Sequence, residues 1–414
     1  MKYAAYALAG LLSLAACNTP VSQTTTTTTP PAPTPPLAAE VPVASSPGSS
    51  YGLFRGQLPG QADSVMLHLI TARQPHYDNR GLTILGSYYG PDGHPYPLGS
   101  GAGSSPADSI VLHDYTPEHG PTPGGEGPIW RLRRQADGSL AGTVGGRATR
   151  LRPVAAPAGS LSFVVRCFAD SLAALPQQAR SPQARFFLQA LEPVGGPAAV
   201  RQALQAGIGR ELRGDTLGTL PPLALPALFA QQRAAFFNDY RADAADVKAP
   251  TDTADLGSFR ASLNYEQQAQ TYVLYQQQSL LSLAFFSYVY TGGAHGSNGT
   301  TAASYDLRTG RRLRYANIFR PEAARQLPAL LAQAVRPLVG LAPGAPLEER
   351  LFVKKMPVTH NVFLTAGGVG FIYQPYEIAS YAQGEVWVFL PLRQVRALLR
   401  EGLPLPAGAG MAAR

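Results

Sequence analysis

Short apolar runs separated by turn residues constrain the fold of this chain most strongly. Between residues 51 and 155 the runs SVMLHLI, LTILGSYYG and SIVLHDY are rich in β-branched and aromatic residues, and polar segments with Gly, Pro, Asp or Asn divide them. In IWRLRRQADGSLAGTV, Asp137-Gly138 lies between two such runs, which is typical of a β-hairpin. Residues 51–155 are therefore predicted to form a small all-β domain, either a barrel or a sandwich.

Residues 156–405 add helical patterns to the strands. In PAAVRQALQAGIGRELRG apolar residues recur at four-residue spacing, and Gly214 follows as a signal for the helix end. Further helices are predicted in ALFAQQRAAFFNDYRA, from Pro321 to Val335, and in LRQVRALLREG. Strands are expected in LSFVVRCFA and ARFFLQALEP, in the hairpin NVFLTAGGVGFIY, and around Phe259–Tyr265, Tyr272–Tyr275 and Leu280–Tyr290. The pattern predicts an α+β fold with a mainly antiparallel sheet and packed helices.

The first sixteen residues, MKYAAYALAGLLSLAA, are typical of an export signal. Lys2 precedes an apolar run that is too short to span a bilayer. The run ends just before Cys17, and LAAC resembles the lipobox of bacterial lipoproteins. This resemblance implies cleavage before Cys17 and a lipid on its sulfur, which would anchor the chain to a membrane. An ordinary secretory signal is the alternative, and both interpretations predict export. Asn18 is compatible with an outer-membrane anchor facing the periplasm or the surface.

Residues 17–50 contain a threonine run and many prolines, with almost nothing to bury, and are predicted to be a disordered tether. Residues 406–414 are predicted to be a flexible tail. With Cys17 carrying the lipid, Cys167 is the remaining cysteine, so no intrachain disulfide is expected. Cys167 is interpreted as a small buried residue. The net charge of +8 overstates the basic character, because the excess is spread along the chain. It is interpreted as a charged, solvated face, or as attraction to anionic glycans or an acidic protein, and nucleic acid is not expected for an exported chain.

From Leu161 onward the chain resembles a family of bacterial exported domains. The segment YTGGAHG, continued by NGTTAASYDLRTG, and the later QPYEIASYAQG carry the resemblance. Such domains occur in the lysozyme-sensing ectodomain of the RsiV anti-sigma factor and in the N-terminal region of PdaC-type peptidoglycan deacetylases. Ser380 departs from the family, which often has proline there. The resemblance implies a domain that binds, since the deacetylases carry catalysis in a separate region with its own metal motifs.

The TGGAHG segment supplies the first candidate site. Its glycines can adopt positive φ, and a histidine among them can anchor the turn or contact a ligand. Catalysis would need a paired acid or nucleophile, and none is evident in the sequence. The candidate ligand-binding residues here are Tyr288, Tyr290, Gly292, Gly293, His295 and Gly296.

The QPYEIASYAQG loop supplies the second candidate site, with Gln374, Tyr376, Glu377 and Tyr381. The tyrosines can act as amphipathic anchors for a ligand, or they can pin the loop to the core. A glycosidase needs two opposed carboxylates, and nothing pairs Glu377 with another acid. In the all-β part, HDYTPEHG groups two histidines and two acids, for which a polar surface loop is a better interpretation than a metal site.

The signal-like N-terminus predicts a lipid-anchored protein, and the resemblance implies a cell-envelope domain that acts as a binding or sensing module. The expected partner is peptidoglycan or a wall-active protein such as lysozyme. We expect no catalytic residues, cofactor or metal. The alternatives are an enzyme that acts on wall glycans, as a hydrolase or deacetylase, and a structural lipoprotein without a small ligand.

Overall fold

The computed structural model describes residues 45–73, 82–100, 109–119, 127–178, 181–215, 217–246 and 262–406. The predicted signal peptide, Cys17 and most of the predicted tether lie outside these residues, as does the predicted tail from residue 407. No helix in the described ranges is both long enough and apolar enough to cross a membrane.

The all-β part is a closed barrel of eight antiparallel strands. The strands follow one another as a meander, and β8 pairs with β1 to close the cylinder. The predicted hairpin is confirmed: Asp137 caps its turn by accepting hydrogen bonds from the backbone and hydroxyl of Ser139, and Gly138 has φ +77°. The strands are β1 (Ser50–Gln57), β2 (Ser64–Arg73), β3 (Leu82–Tyr89), β4 (Pro95–Gly99), β5 (Ser109–Asp114), β6 (Ile129–Arg134), β7 (Leu140–Val144) and β8 (Arg147–Pro153).

The inward-facing side chains of the barrel strands form its core. Trp130 is fully buried and packs with Tyr88 at 4.9 Å between ring centroids. Phe54, Leu67 and Leu112 belong to the same cluster. In β5 and at the start of β6 buried residues alternate with more exposed ones, because successive side chains point to opposite faces.

A six-stranded sheet follows the barrel, in the order β14-β13-β12-β11-β10-β9. Neighbouring strands are antiparallel except β10 and β11, which are parallel and are joined through two helices. A parallel pair needs such a crossover connection, so the helices are a requirement of the topology. The elements are β9 (Ser162–Ala173), β10 (Gln183–Val194), α1 (Ala198–Leu212), α2 (Leu225–Asp246), β11 (Tyr265–Gln277), β12 (Leu280–Tyr290), β13 (Ser297–Asp306) and β14 (Arg311–Leu313).

Both helices of the crossover cover the same face of this sheet. Phe186 on β10 contacts Phe229 and Phe236 of α2, with ring centroids 5.5 and 6.0 Å apart. Helix α1 buries its predicted apolar stripe and ends as expected at Gly214, whose N–H bonds the carbonyl of Glu211 with φ +73°. The opposite face of the sheet is therefore free of these helices.

A smaller three-stranded sheet, β15-β16-β17, completes the structure. Its core includes Leu327, Leu331 and Val335 of the predicted third helix, and these residues are completely buried. Its elements are α3 (Tyr315–Ile318), α4 (Ala323–Leu338), β15 (Val362–Leu364), β16 (Gly368–Tyr373), β17 (Val386–Pro391) and α5 (Leu392–Val395).

Two sequence-based expectations for residues 156–405 are corrected. A single strand, β11, replaces the strands expected around Phe259–Tyr265 and Tyr272–Tyr275, and residues 259–261 lie outside the described ranges. The expected last helix stops at Val395, with one 3₁₀ turn after it. The following segment forms a β-bridge between Leu399 and Phe319, because its backbone hydrogen bonds go to that chain segment and not to a further helical turn.

The predicted α+β class, with an all-β part at the N-terminal side, is confirmed. The barrel ends at Pro153 and β9 begins at Ser162, while residues from Val43 onward form one compact unit. The domain boundary at residues 155 and 156 stays a prediction.

Candidate functional site

The two predicted loops meet in space and form a cluster of rings, here called the aromatic corner: Tyr288, His295, Tyr376 and Tyr381. His295 stacks on Tyr381 with 4.1 Å between ring centroids and 19° between planes. Tyr376 also stacks on Tyr381, with 5.7 Å between the ring centroids. The His295 ring is exposed. Residues 86 positions apart in sequence therefore build one surface.

A close backbone approach holds the aromatic corner together. The hydroxyl of Tyr381 donates to the carbonyl of Gly296 at 2.7 Å, and Nδ1 of His295 donates to the same oxygen at 2.8 Å. The ring of Tyr288 covers Gly296, where an added Cβ would lie 2.5 Å from it. Glycine at this position is therefore required by the packing of the ring.

Tyr376 has an unusual backbone conformation. Its φ is +68°, a region that L-residues with side chains rarely occupy, and its side chain is 60% exposed. Strain of this kind persists where the surrounding structure enforces it, and it is enriched at ligand sites. Here it directs an aromatic ring outward beside Tyr381.

Other predicted residues serve the loops themselves. The hydroxyl of Tyr290 donates to the carbonyl of Gly293 at 2.9 Å, and Gly292 and Gly293 take φ of +85° and +92°. Glu377 accepts the backbone N–H of Gln374 at 2.9 Å and so closes its own turn. These contacts match the structural alternative that the sequence left open for both segments.

A cleft of about 1040 Å³ lies beside the aromatic corner, on the face of the six-stranded sheet that the helices leave uncovered. Strand β11 presents every second residue to it. The cleft floor is defined by Glu266, Gln268, Gln270 and Tyr272 on β11, with Phe286, Asn298 and Thr300 on the next two strands.

Polar side chains of the cleft floor form a hydrogen-bonded row. Nε2 of Gln270 donates to Oε1 of Gln268 at 3.1 Å, and Nε2 of Gln268 in turn donates to Oε1 of Glu266. The row runs along one strand, so donors and acceptors follow each other at the strand spacing. Such a surface can hydrogen-bond a hydroxyl- or amide-rich ligand at several points.

Strand β17 and the residue before it supply a second side of the cleft through Glu385, Trp387 and Phe389. Nε1 of Trp387 donates to Oε2 of Glu385 at 2.8 Å. Burial raises the pKa of the Glu385 carboxyl, and hydrogen bonds from Trp387 and Thr300 oppose the shift. Burial likewise raises the pKa of Glu266.

The aromatic corner and the cleft floor are contiguous. Nε2 of Gln374 donates to the carbonyl of Thr300 at 2.7 Å. Burial raises the pKa of the Tyr288 hydroxyl, and the charge of Glu266 adds to the shift, so the two groups are near each other. A ligand in the cleft can extend onto the stacked rings.

Sequence reasoning missed the cleft. Within the described part of the chain, none of the ten candidate ligand-binding residues lines it. The available signal was weak. In YEQQAQTY the polar residues Glu266, Gln268 and Gln270 recur at every second position up to Tyr272, but polar residues occupy the other face of the strand as well. The row becomes recognisable as a site only when β12, β13 and β17 are placed beside it.

The HDYTPEHG segment proves to be more than a surface loop. Asp114 is completely buried and accepts hydrogen bonds from the hydroxyl of Tyr88 and from Nδ1 of His119, both at 2.7 Å. Burial opposes protonation of His119, but the Asp114 hydrogen bond and charge raise its pKa. Across the described ranges no three His, Cys, Asp or Glu side chains are grouped closely enough to hold a metal ion.

Two segments match known families. Residues 197–298 match the family described as "Deacetylase PdaC", and residues 316–393 match the family described as "Protein of unknown function (DUF3298)". The matched segments contain α1, α2, β11, β12 and the small sheet, and hence most of the residues described above. No curated protein matches the chain.

Two solved structures are similar to this one. A DUF3298 family member from Bacteroides fragilis has a TM-score of 0.49 and 22% identity, covering 59% of this chain and 95% of its own. A DUF3298 family protein from Pseudomonas aeruginosa has a TM-score of 0.41 and 20% identity, covering 59% of this chain and 98% of its own. By the family matches, residues 197–298 are similar to PdaC proteins and residues 316–393 to DUF3298 proteins.

Proposed function

We propose that this chain is a lipid-anchored protein of the cell envelope whose folded part is a binding or sensing module. Its partner is peptidoglycan or a wall-active protein such as lysozyme. The observation that carries the proposal is the cleft of about 1040 Å³, with its hydrogen-bonded row of glutamines and its contiguous stacked rings. The similarity to PdaC and DUF3298 proteins supports a place in the envelope.

The chemistry of the site suits sugar rings. Saccharides offer hydroxyl and acetamido groups to side-chain amides, and their apolar faces pack on aromatic rings. Binding sites of this kind are concave and combine aromatic walls with a few placed polar groups. Gln268 and Gln270 supply the polar groups, while Trp387 and Phe389 supply an aromatic wall.

Binding to isolated peptidoglycan sacculi and to lysozyme tests the proposal. The full-length chain in detergent should sediment with sacculi or bind immobilised lysozyme, and Gln270→Ala should weaken that binding. Glu348→Gln, an exposed residue outside the cleft lining, serves as the matched control. Absence of binding to both partners would reject the proposed function.

The membrane anchor needs its own experiment. Cells expressing the chain should incorporate an alkyne analogue of palmitate into it, and Cys17→Ser should remove the label. A labelled Cys17→Ser variant, or an unlabelled wild-type protein, would contradict lipidation at Cys17.

An enzyme acting on wall glycans is the second candidate. The favouring observation is that the cleft contains two half-buried carboxyls, Glu266 and Glu385, whose pKa values burial raises. The two residues belong to different sheets, Glu266 to β11 and Glu385 to the position just before β17, and both line the cleft. Retaining and inverting enzymes hold their carboxyls roughly 5 to 10 Å apart.

Product release from peptidoglycan distinguishes the two candidates. We expect no reducing sugar or acetate to appear when the purified chain is incubated with sacculi. Release that is abolished by changing His295, Glu377, Glu266 or Glu385 would establish an enzyme and overturn the binding role.

A further inference from the structure

The barrel is docked firmly against the cleft-bearing sheet. The hydroxyl of Ser87 on β3 donates to the carbonyls of Val273 and Leu274 at 2.6 and 3.1 Å. The hydroxyl of Tyr89, on the same strand, donates to the carbonyl of Gln276 at 2.9 Å. The carbonyls of Val273 and Leu274 lie at a register irregularity of β11. Irregularities of this kind leave backbone groups without a ladder partner, and here the barrel provides the donors.

A second contact joins the barrel to the small sheet. His94 lies flat on Phe389 of β17, with 4.2 Å between ring centroids and 7° between planes. Both residues line the cleft. Burial lowers the pKa of His94 to about 3, so the ring is neutral and packs as an aromatic group. The barrel rim therefore has a fixed position relative to the cleft floor.

The barrel supplies the wall that faces the cleft floor, and the two sides differ in chemistry. The barrel wall combines apolar residues with polar side chains: Leu82, Leu85, Pro95, Pro97, Leu98 and Pro117 line it together with Thr83, His94, Ser100, Thr116 and Glu118. Hydroxyl and carboxyl groups can hydrogen-bond the amides of a peptide, and the prolines and leucines can pack on its apolar atoms. A floor of side-chain amides opposite a wall of mixed chemistry fits a ligand with two chemically different parts.

Tyr115 stands at the lip of the barrel wall. Its side chain is 50% exposed, stacks with His113 at 5.9 Å and covers Gly99, where an added Cβ would lie 3.4 Å from the ring. Large exposed aromatics that border a cleft are typical binding anchors, because they bury much area at a small entropic cost. Glu118 lines the same lip and adds a carboxylate.

We propose that the barrel wall recognises the peptide portion of a glycopeptide whose sugar rings lie on the cleft floor. This inference rests on the proposed function and names its ligand class: wall glycan that still carries its peptide stem, in preference to bare glycan. The all-β part is then a component of the binding site, and Tyr115 and Glu118 determine specificity.

Two probes test the inference by isothermal titration calorimetry of the full-length chain in detergent. One is a tetramer of N-acetylglucosamine, and the other is a disaccharide-tetrapeptide muropeptide. We expect the wild-type chain to bind the muropeptide about tenfold more tightly. Tyr115→Ala combined with Glu118→Gln should remove this preference and leave affinity for the tetramer unchanged, whereas Gln270→Ala should weaken both.

Arg131→Ala, on an exposed position of β6 outside the cleft lining, is the matched control for the barrel. Equal wild-type affinities for the probes, or a lip variant that behaves like the control, would overturn the inference while the binding function stands. Sedimentation with sacculi without muropeptide binding would also overturn it. Loss of binding to sacculi, lysozyme and both probes would remove the function and the inference together.

Discussion

Individual side chains decide how the TGGAHG and QPYEIASYAQG loops of this chain become one surface. Tyr381 is the central member of the aromatic corner: its ring stacks between His295 and Tyr376, and its hydroxyl reaches across to the other loop at Gly296. The ring and the hydroxyl therefore make separable contributions, the first to ligand contact and the second to loop position.

Tyr381→Phe should lower the free energy of unfolding by about 1 kcal/mol, because it removes one partly buried hydrogen bond and keeps the ring. Urea denaturation followed by tryptophan fluorescence measures this change. Tyr376→Phe is the matched control, since among the described residues its hydroxyl has no hydrogen bond to lose. Equal stability of the two variants would show that the bond to Gly296 contributes nothing.

Glu266 provides a pH-dependent prediction. Burial raises its pKa, so the folded state takes up a proton more readily than the unfolded chain. The unfavourable contribution of the buried charge is fully present above the folded pKa and disappears as the pH falls below the unfolded value. Glu266→Gln removes this charge and keeps an oxygen that can accept the Gln268 hydrogen bond.

We therefore expect Glu266→Gln to be more stable than wild type at pH 8, and the difference to shrink as the pH is lowered to 4. Denaturation curves at several pH values measure it, with Glu348→Gln as an exposed control. A stability difference that is independent of pH would contradict the assigned cause.

At the scale of elements, side chains replace ladder hydrogen bonds where the two sheets of the α+β part meet. Asn361, just before β15, accepts the N–H of Ala302 and donates to the carbonyl of Thr300, both at 2.8 Å. Further along, Ser304 accepts the N–H of Leu364, and Ser282 donates to its carbonyl. The small sheet is thereby fixed beside β13, with Trp387 and Glu385 over the cleft.

Asn361→Ala should cost about 2 kcal/mol of stability, because the buried N–H of Ala302 is left without a partner. It should also weaken peptidoglycan binding through displacement of β17. Chemical denaturation and sacculus sedimentation measure the two effects, and Asn317→Ala, which removes an exposed side-chain contact, is the control. An Asn361→Ala variant with wild-type stability would refute this view of the junction.

At the scale of the whole molecule, the site depends on the position of the barrel. Gly367, in the predicted hairpin turn, meets the backbone of Asp92 and Gly93 at the barrel rim, and any side chain there would overlap the Asp92 carbonyl oxygen. The close approach explains why glycine is needed at this turn in addition to its role in the hairpin.

Gly367→Ala should destabilise the protein by about 1–3 kcal/mol through overpacking. It should also move the barrel wall and so weaken muropeptide binding more than tetramer binding. Gly90→Ala, where an added Cβ meets only Asp92 at an ordinary 3.4 Å, is the matched control. Wild-type melting and ligand preference in Gly367→Ala would show that the barrel and the sheet do not depend on this contact.

The sequence by itself determined the class of the fold and most of its elements. Runs of β-branched and aromatic residues and an Asp-Gly turn predicted the barrel strands, and four-residue spacing before Gly214 predicted α1, because these signals are local consequences of backbone geometry. The same reasoning overextended the last helix, where long-range backbone bonds to Phe319 and its neighbours compete with the helical pattern.

Only the tertiary structure decided where a ligand can bind. The stacking of His295 on Tyr381, the row from Glu266 to Gln270 and the barrel wall at Tyr115 join residues from distant parts of the chain. A binding surface forms where side chains from several elements lie close together, whereas sequence periodicity indicates only which face of a single element is buried. The cleft therefore arose from the register of β11 to β13 and the docking of the barrel, which no local pattern encodes.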